Sequence, residues 1–160
     1  MIDFDALLTA LGRHEVSFIV VGGAAAIAHG SARLTQDLDI VYDRSPENLD
    51  RLVAALAEYK PYLRGVPAGL PFHWDRATVT RGLNFTLVTS LGDIDLLGEI
   101  PGGGTYQDLL PEAIELHIFH TRCLCLSLDQ LIRSKRAAGR PKDLDALAEL
   151  EAIREERGQS

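Results

Sequence analysis

Among 160 residues there are only two cysteines, one methionine and one tryptophan. Cys123 and Cys125 stand two apart in an alternating run, so on a strand they share a face as neighbours. Nothing elsewhere can pair with them, which excludes a disulfide framework and a cysteine-based zinc site. They read as two small, reduced hydrophobic residues. Long apolar runs are missing too. The longest, such as Phe18 to Val21, falls far below the roughly 20 residues that cross a bilayer. The opening MIDFDALLTA is acidic and lacks the charged-then-apolar pattern of an export signal. These absences predict a cytoplasmic protein with no membrane partner. An excess of positive charge is also lacking: 16 Lys and Arg against 23 Asp and Glu leave a net charge of −7. That balance argues against a surface that coats itself on nucleic acid.

What is present fits a soluble globular chain, with 46% hydrophobic and 24% charged residues. The length is that of one ordinary domain, here 1–160, large enough to bury most of what the unfolded chain exposes. One stretch departs from the acidic average. Arg133, Lys135, Arg136, Arg140 and Lys142 follow one another with no acid among them, which suits a local anion site.

Apolar periodicity gives a coarse map. Residues 3–13 predict a helix with Phe4, Leu7, Leu8 and Leu11 on one side. SFIVVGG (17–23) predicts a short buried strand running into paired glycines, and AAAIAHG (24–30) a compact helix ended by Gly30. DLDIVYD (37–43) alternates as a strand. Ser45 and Pro46 then open a helix, as cap and first residue, that runs to about Tyr59. Residues 60–82, with Pro61, Pro67 and Pro71, form the least regular part. NFTLVTS (84–90) and DIDLLGEI (93–100) predict a hairpin turning at Leu91-Gly92. Residues 113–119 and 122–126 read as further short strands. Ser127 with Gln130 is a capping-box pair for a helix to Ala138, and a last helix closes the chain after Gly139 to Pro141. This order implies an α/β (α+β) fold, a mixed β-sheet with flanking helices.

Three pieces carry chemistry. Gly22-Gly23 lies between a buried strand and a helix start, where free amides can seat a phosphate and absent side chains let a ligand approach. Such a turn also has a purely structural use. Asp37 and Asp39 share one strand face while Leu38 and Ile40 point to the core. Two carboxylates held side by side repel unless a cation neutralises them, and magnesium favours carboxylate and phosphate oxygens. Isolated, an Asp-x-Asp is more often a solvent-facing strand. Asp95, between Ile94 and Leu96 in a second apolar strand, changes that balance. If the strands are neighbours, three acids gather around one or two metal ions. Asp93 shares the face of Asp95 but reads as a turn residue at the hairpin mouth.

Gly22-Gly23, thirteen intervening residues, Asp37-Leu38-Asp39-Ile40 and later Ile94-Asp95-Leu96 resemble the signature of the DNA polymerase beta-like nucleotidyltransferase superfamily. The strings VGGAAAIAHGSARLTQDLDI and KRAAGRPKDLDAL look like small bacterial members, some of them toxin–antitoxin components and others antibiotic nucleotidyltransferases. The resemblance implies the nucleotidyltransferase fold and Mg2+-dependent transfer of a nucleoside monophosphate from a triphosphate, ATP foremost, with release of pyrophosphate. Asp37, Asp39 and Asp95 would be metal ligands and catalytic residues. Gly22, Gly23, Arg33, Thr35 and Lys135 would contact the nucleotide. The acceptor hydroxyl is open: a small molecule, a protein or tRNA.

Each supporting residue has a plainer alternative. Arg33 binds a phosphate by two parallel hydrogen bonds or pairs with a local acid, and Thr35 orders its loop. Lys135 follows Leu128, Leu131 and Ile132 at helical spacing, so it faces inward and needs a phosphate or a carboxylate. Arg140, Lys142 and Asp143 set the turn between the last helices, a role in the site being secondary. His29 is better read as a packed helix-end residue than as a general base. His73 and Trp74 offer an acceptor stacking surface or a buried anchor. Gly102, Gly103 and Gly104 read as a flexible linker by default. From other classes, an inactive nucleotidyltransferase-like partner-binding protein, such as one half of a toxin–antitoxin pair, is the main rival; a protein partner or a homodimer is also open. A phosphohydrolase is weaker, since no extra histidine ligands lie near the acids.

Overall fold

The computed structural model describes residues 2–67 and 69–158. Helix α1 (Phe4–Arg13) starts at Asp3, whose carboxylate accepts the Ala6 amide, and buries Leu7, Leu8 and Leu11. Strand β1 (Phe18–Val21) is buried at every residue. It gives way at Gly22 to α2 (Gly22–Ala28). Strand β2 (Asp37–Tyr42) is followed by α3 (Pro46–Leu56), capped by the Ser45 side chain and continued by a 3-10 turn to Tyr59. Then come β3 (Tyr62–Leu63), α4 (Arg76–Arg81), β4 (Phe85–Thr89) and β5 (Gly92–Leu97). Two-residue strands β6 (Glu99–Ile100) and β7 (Gly104–Thr105) form a separate pair, and α5 (Tyr106–Leu109) follows. A second hairpin, β8 (Ile114–Ile118) and β9 (Thr121–Cys125), leads into α6 (Leu128–Ala138) and α7 (Pro141–Gly158). Ser127 and Gln130 form the expected capping box, and Gly139 ends α6 in the left-handed region.

Seven strands make one mixed sheet in the order β3-β4-β5-β2-β1-β9-β8. Strands β2 and β5 run parallel, as do β1 and β9, and the other pairings are antiparallel. The centre of the sheet positions the site. Asp37 lies opposite Asp93 and Asp39 opposite Asp95, while Leu38 faces Ile94 and Ile40 faces Leu96. All four apolar partners are fully buried, which contributes roughly 1.5–3 kcal/mol for each side chain. A one-residue slip would put the carboxylates into the core, so the same burial that holds the sheet holds the acids in register.

Three expectations need correction. The strand expected to include Gly22-Gly23 stops at Val21, because Gly22 takes φ +64 and turns the chain directly into α2. Residues 60–82, expected to be irregular, contain β3 and α4, elements too short to leave a periodic pattern. The glycine loop is not a flexible linker. A Cβ on Gly102 would lie 2.7 Å from both the Ala137 methyl and the Arg133 carbonyl, so the loop is packed on α6. Among the described residues, no helix is long and apolar enough to cross a membrane.

Candidate metal and phosphate site

Because β2 and β5 are parallel neighbours, the acids at 37, 39 and 95 emerge together. One carboxylate oxygen from each lies within 4.8 Å of the others, close enough to share a cation. Asp39 is the most enclosed. Its Oδ1 is buried with no hydrogen-bond partner among the described residues, an arrangement that is costly unless something else meets the oxygen. Burial first, then the charges of Asp37 and Asp95, push its carboxyl up to about 8, against the pull of Lys135. Asp37 is raised by the same causes, burial first and Asp95 next, with Arg64 opposing. An orphaned carboxylate oxygen amid converging acids fits a hard divalent cation.

The paired glycines belong to this geometry. A Cβ on Gly22 would collide with the Asp39 carboxylate, and one on Gly23 would lie 2.7 Å from Thr35 Oγ1. Bare backbone is therefore what lets the turn from β1 to α2 sit against the acidic strand. Thr35 Oγ1 donates to the Asp37 carbonyl at 3.2 Å, ordering the loop that enters β2.

A cleft of about 470 Å³ opens over the acids, and Arg33, Lys135, Arg140 and Lys142 line it. Lys135 Nζ lies 3.3 Å from Asp143 Oδ1, and Arg140 Nε lies 2.5 Å from Asp143 Oδ2. Asp143 is fully buried, and Arg140 first, with Lys135 after it, holds its carboxyl down at about 2. Arg33 Nε is 3.7 Å from Glu149, an acid also bonded by the Ser31 hydroxyl and the Ala32 amide. Three of the four cations are thus stationed at the cleft by acids from α7. A larger groove of about 610 Å³, bordered by α1 and β9, has no carboxylate among its lining residues.

One more cation touches the acids themselves. Arg64, just beyond β3, donates from Nη2 to Asp95 Oδ1 at 2.9 Å. Its Nε is 3.2 Å from Asp93 Oδ2 and its Nη1 3.8 Å from Asp37 Oδ2.

No family profile matches the chain, and no curated protein matches it in sequence. Solved structures do match. The lincomycin-bound crystal structure of the lincosamide antibiotic adenylyltransferase LnuA superposes with a TM-score of 0.61 at 16% identity, over 95% of this chain and 98% of that one. A Thermotoga maritima protein assigned as a nucleotidyltransferase gives 0.55 at 15% identity, over 100% of this chain and 97% of that one. This is a nucleotidyltransferase fold. The resemblance read from Gly22-Gly23, Asp37-Leu38-Asp39 and Asp95 holds at that level.

Within the nucleotidyltransferase fold, the structure gathers Asp37, Asp39, Asp95, Gly23, Arg33, Thr35 and Lys135 around one cleft, with Gly22 directly behind Asp39. Asp93 is not a turn residue. It lies inside β5 opposite Asp37, because the hairpin turns one residue earlier, at Ser90-Leu91. His29 is the packed residue expected: its ring Nε2 meets the Leu126 carbonyl at 2.8 Å, far from general-base work. Trp74 is an anchor, its indole N–H donating to the Val53 carbonyl at 2.9 Å. Sequence reasoning missed Arg64 and the buried role of Asp143. Arg64 follows a two-residue strand among prolines and carries no spacing signal. Asp143 was legible only as a helix-start acid in a basic stretch.

Proposed function

We propose that this protein is an Mg2+-dependent nucleotidyltransferase, moving a nucleoside monophosphate from a triphosphate such as ATP to an acceptor hydroxyl. The observation that carries this reading is the convergence of Asp37, Asp39 and Asp95, with the buried Asp39 Oδ1 lacking a hydrogen-bond partner among the described residues. These three acids would hold one or two Mg2+ ions, which neutralise phosphate charge and favour ionisation of the attacking hydroxyl. Lys135, Arg140 and Arg33 face the same cleft and would bind the β- and γ-phosphates, and the bare backbone at Gly22 and Gly23 would let the triphosphate approach. Asp95 would assist the acceptor oxygen and take the hydroxyl proton. The acceptor oxygen then bonds to the α-phosphorus as the bond to the β-phosphate oxygen breaks and pyrophosphate leaves. Positioning and charge do the work, with little covalent chemistry for the protein.

The lincosamide adenylyltransferase aligns over nearly its full length. That supports a small hydroxylated molecule as acceptor ahead of a protein or tRNA, in line with the net charge of −7. The test is pyrophosphate release from each of the four NTPs with Mg2+ and a panel of hydroxylated acceptors. Turnover that survives unchanged in both Asp37→Asn and Asp39→Asn would end the proposal.

A second reading rests on Arg64. A guanidinium that already neutralises Asp95 and Asp37 is what an inactive, partner-binding relative would keep, one half of a toxin–antitoxin pair included. Calorimetry with ATP and Mg2+ separates the two: an interaction module shows no metal-dependent heat of nucleotide binding.

A further inference from the structure

Arg64 is held at both ends. Its backbone amide donates to the Thr86 carbonyl at 2.9 Å, and its Nη2 also reaches the Leu87 carbonyl at 3.1 Å. From that anchorage on β4 the guanidinium spreads over three acids instead of gripping one. Only the contact to Asp95 is an aligned hydrogen bond. The Nη1 contact to Asp37 is 3.8 Å long, and the buried Nε faces Asp93 without hydrogen-bond alignment. A structural arginine–carboxylate pair ordinarily uses the planar fork on a single partner. Here one guanidinium serves Asp37, Asp93 and Asp95, and Asp39 Oδ1 beside them has no hydrogen-bond partner among the described residues. Three of the other four cations of the cleft are already claimed by acids of α7: Lys135 and Arg140 by Asp143, Arg33 by Glu149.

We propose that Arg64 is a resident counter-ion that a divalent cation displaces from Asp37 and Asp95 as the site loads, so that Arg64 sets the affinity for the ion. This rests on the metal-binding reading above and adds its regulation. The physics gives two effects of opposite sign. In the metal-free protein the guanidinium relieves repulsion among neighbouring carboxylates and stabilises the sheet. Toward an arriving divalent ion, the same positive charge is a competitor for two of the three ligands. Removing it weakens the metal-free fold and tightens metal binding. A merely structural ion pair would give the first effect without the second.

The experiment titrates metal-stripped, full-length protein with Mn2+ alone and reads free Mn2+ by electron paramagnetic resonance. Arg64→Gln is expected to bind Mn2+ about tenfold more tightly than the wild type, or better. Its metal-free form should also melt at lower temperature and recover on adding Mn2+. Equal or weaker Mn2+ binding in R64Q overturns the proposal. Should R64Q not fold without metal, the 15N-labelled wild type decides. Saturation with Mg2+ must shift the Arg64 Nε–H resonance, and an unmoved resonance overturns the proposal. Asp39→Asn controls the reading beneath. Mn2+ uptake that is absent from the wild type, or that survives D39N, removes the metal site and the proposed function with it. Uptake lost in D39N but unaffected by R64Q removes the Arg64 assignment alone.

Discussion

Gly22 packs so closely on Asp39 that a single added methyl group would run into the carboxylate. Gly22 also has φ +64, which only glycine adopts without strain. Gly22→Ala therefore meets two penalties. The left-handed backbone contributes roughly 1–2 kcal/mol of destabilisation, and the clash must move Asp39 or the turn. Urea denaturation should report at least the first. Mn2+ binding should weaken as well, because Asp39 is the acid displaced. A G22A protein with wild-type stability and wild-type Mn2+ binding would show that this contact is not rigid.

Asp39 links metal binding to pH. Its carboxyl is pushed up to about 8, by burial first and by the neighbouring acids next. A raised carboxyl pKa means that the folded state holds the proton more tightly than the unfolded chain. The contribution is full below the unfolded value near 3.8 and is lost as pH rises through about 8. The metal-free protein should thus lose stability from pH 5 to pH 8, and Asp39→Asn should flatten that decline while abolishing nucleotidyl transfer. A divalent ion must displace the same proton. Its affinity should rise by up to about tenfold per pH unit below pH 8 and level off above it. Calorimetry in buffers of different ionisation enthalpy, read at pH 7, should find a proton released per ion bound. No release would place the proton elsewhere.

Asp143 behaves in the opposite sense. Arg140 and Lys135 depress its carboxyl to about 2, so its contribution is present above the unfolded value and lost as pH falls from about 4 toward 2. Asp143→Asn should destabilise the protein by roughly 1–3 kcal/mol at pH 7, since the arginine and the lysine lose a buried charged acceptor but keep access to water. The gap between variant and wild type should narrow on acidification. Freed from Asp143, Lys135 and Arg140 should place the triphosphate less accurately, raising KM for NTP more than kcat falls. Steady-state kinetics beside denaturation at two pH values checks both halves.

The acidic centre was readable in the sequence because it combines two strong patterns. Alternation in Asp37 to Tyr42 and in Asp93 to Leu97 puts the acids on one face, and the apolar partners between them leave little choice of register. The capping residues Ser45 and Ser127 and the break at Gly139 were equally legible, since each has a local hydrogen-bonding or backbone reason to be where it is. Contacts made across the fold were not. Arg64 reaches Asp95 because β3 joins the sheet edge beyond β4, a pairing only two residues long. Asp143 is buried because α7 packs beside α6, and nothing in GRPKD distinguishes a buried aspartate from a helix-start one. The basic stretch from Arg133 to Lys142 read as a local anion site. In the fold Arg133, Lys135, Arg136 and Arg140 each face an acid.

His29 gives a prediction that separates structure from catalysis. Its ring is buried between the Leu126 carbonyl, 2.8 Å from Nε2, and Arg157 Nη1, 3.0 Å from Nδ1. Those partners fit the neutral tautomer with the proton on Nε2: it donates to the carbonyl, and Nδ1 accepts from the guanidinium. Burial first, then the arginine charge, lower the imidazole pKa against the favourable carbonyl bond. A folded-state pKa below the ordinary 6.5 means that stability from this group is present above pH 6.5 and is lost as pH falls through the depressed value. His29→Leu keeps the apolar volume but leaves the Leu126 carbonyl without its donor. It should lower stability at pH 7 by roughly 1–3 kcal/mol. Below pH 6 the variant should lose the acid-dependent part of the wild-type decline. A general base at position 29 would instead remove the acidic limb of the kcat/KM profile. The expected outcome is an unchanged profile with a lowered Tm, measured on the same preparation.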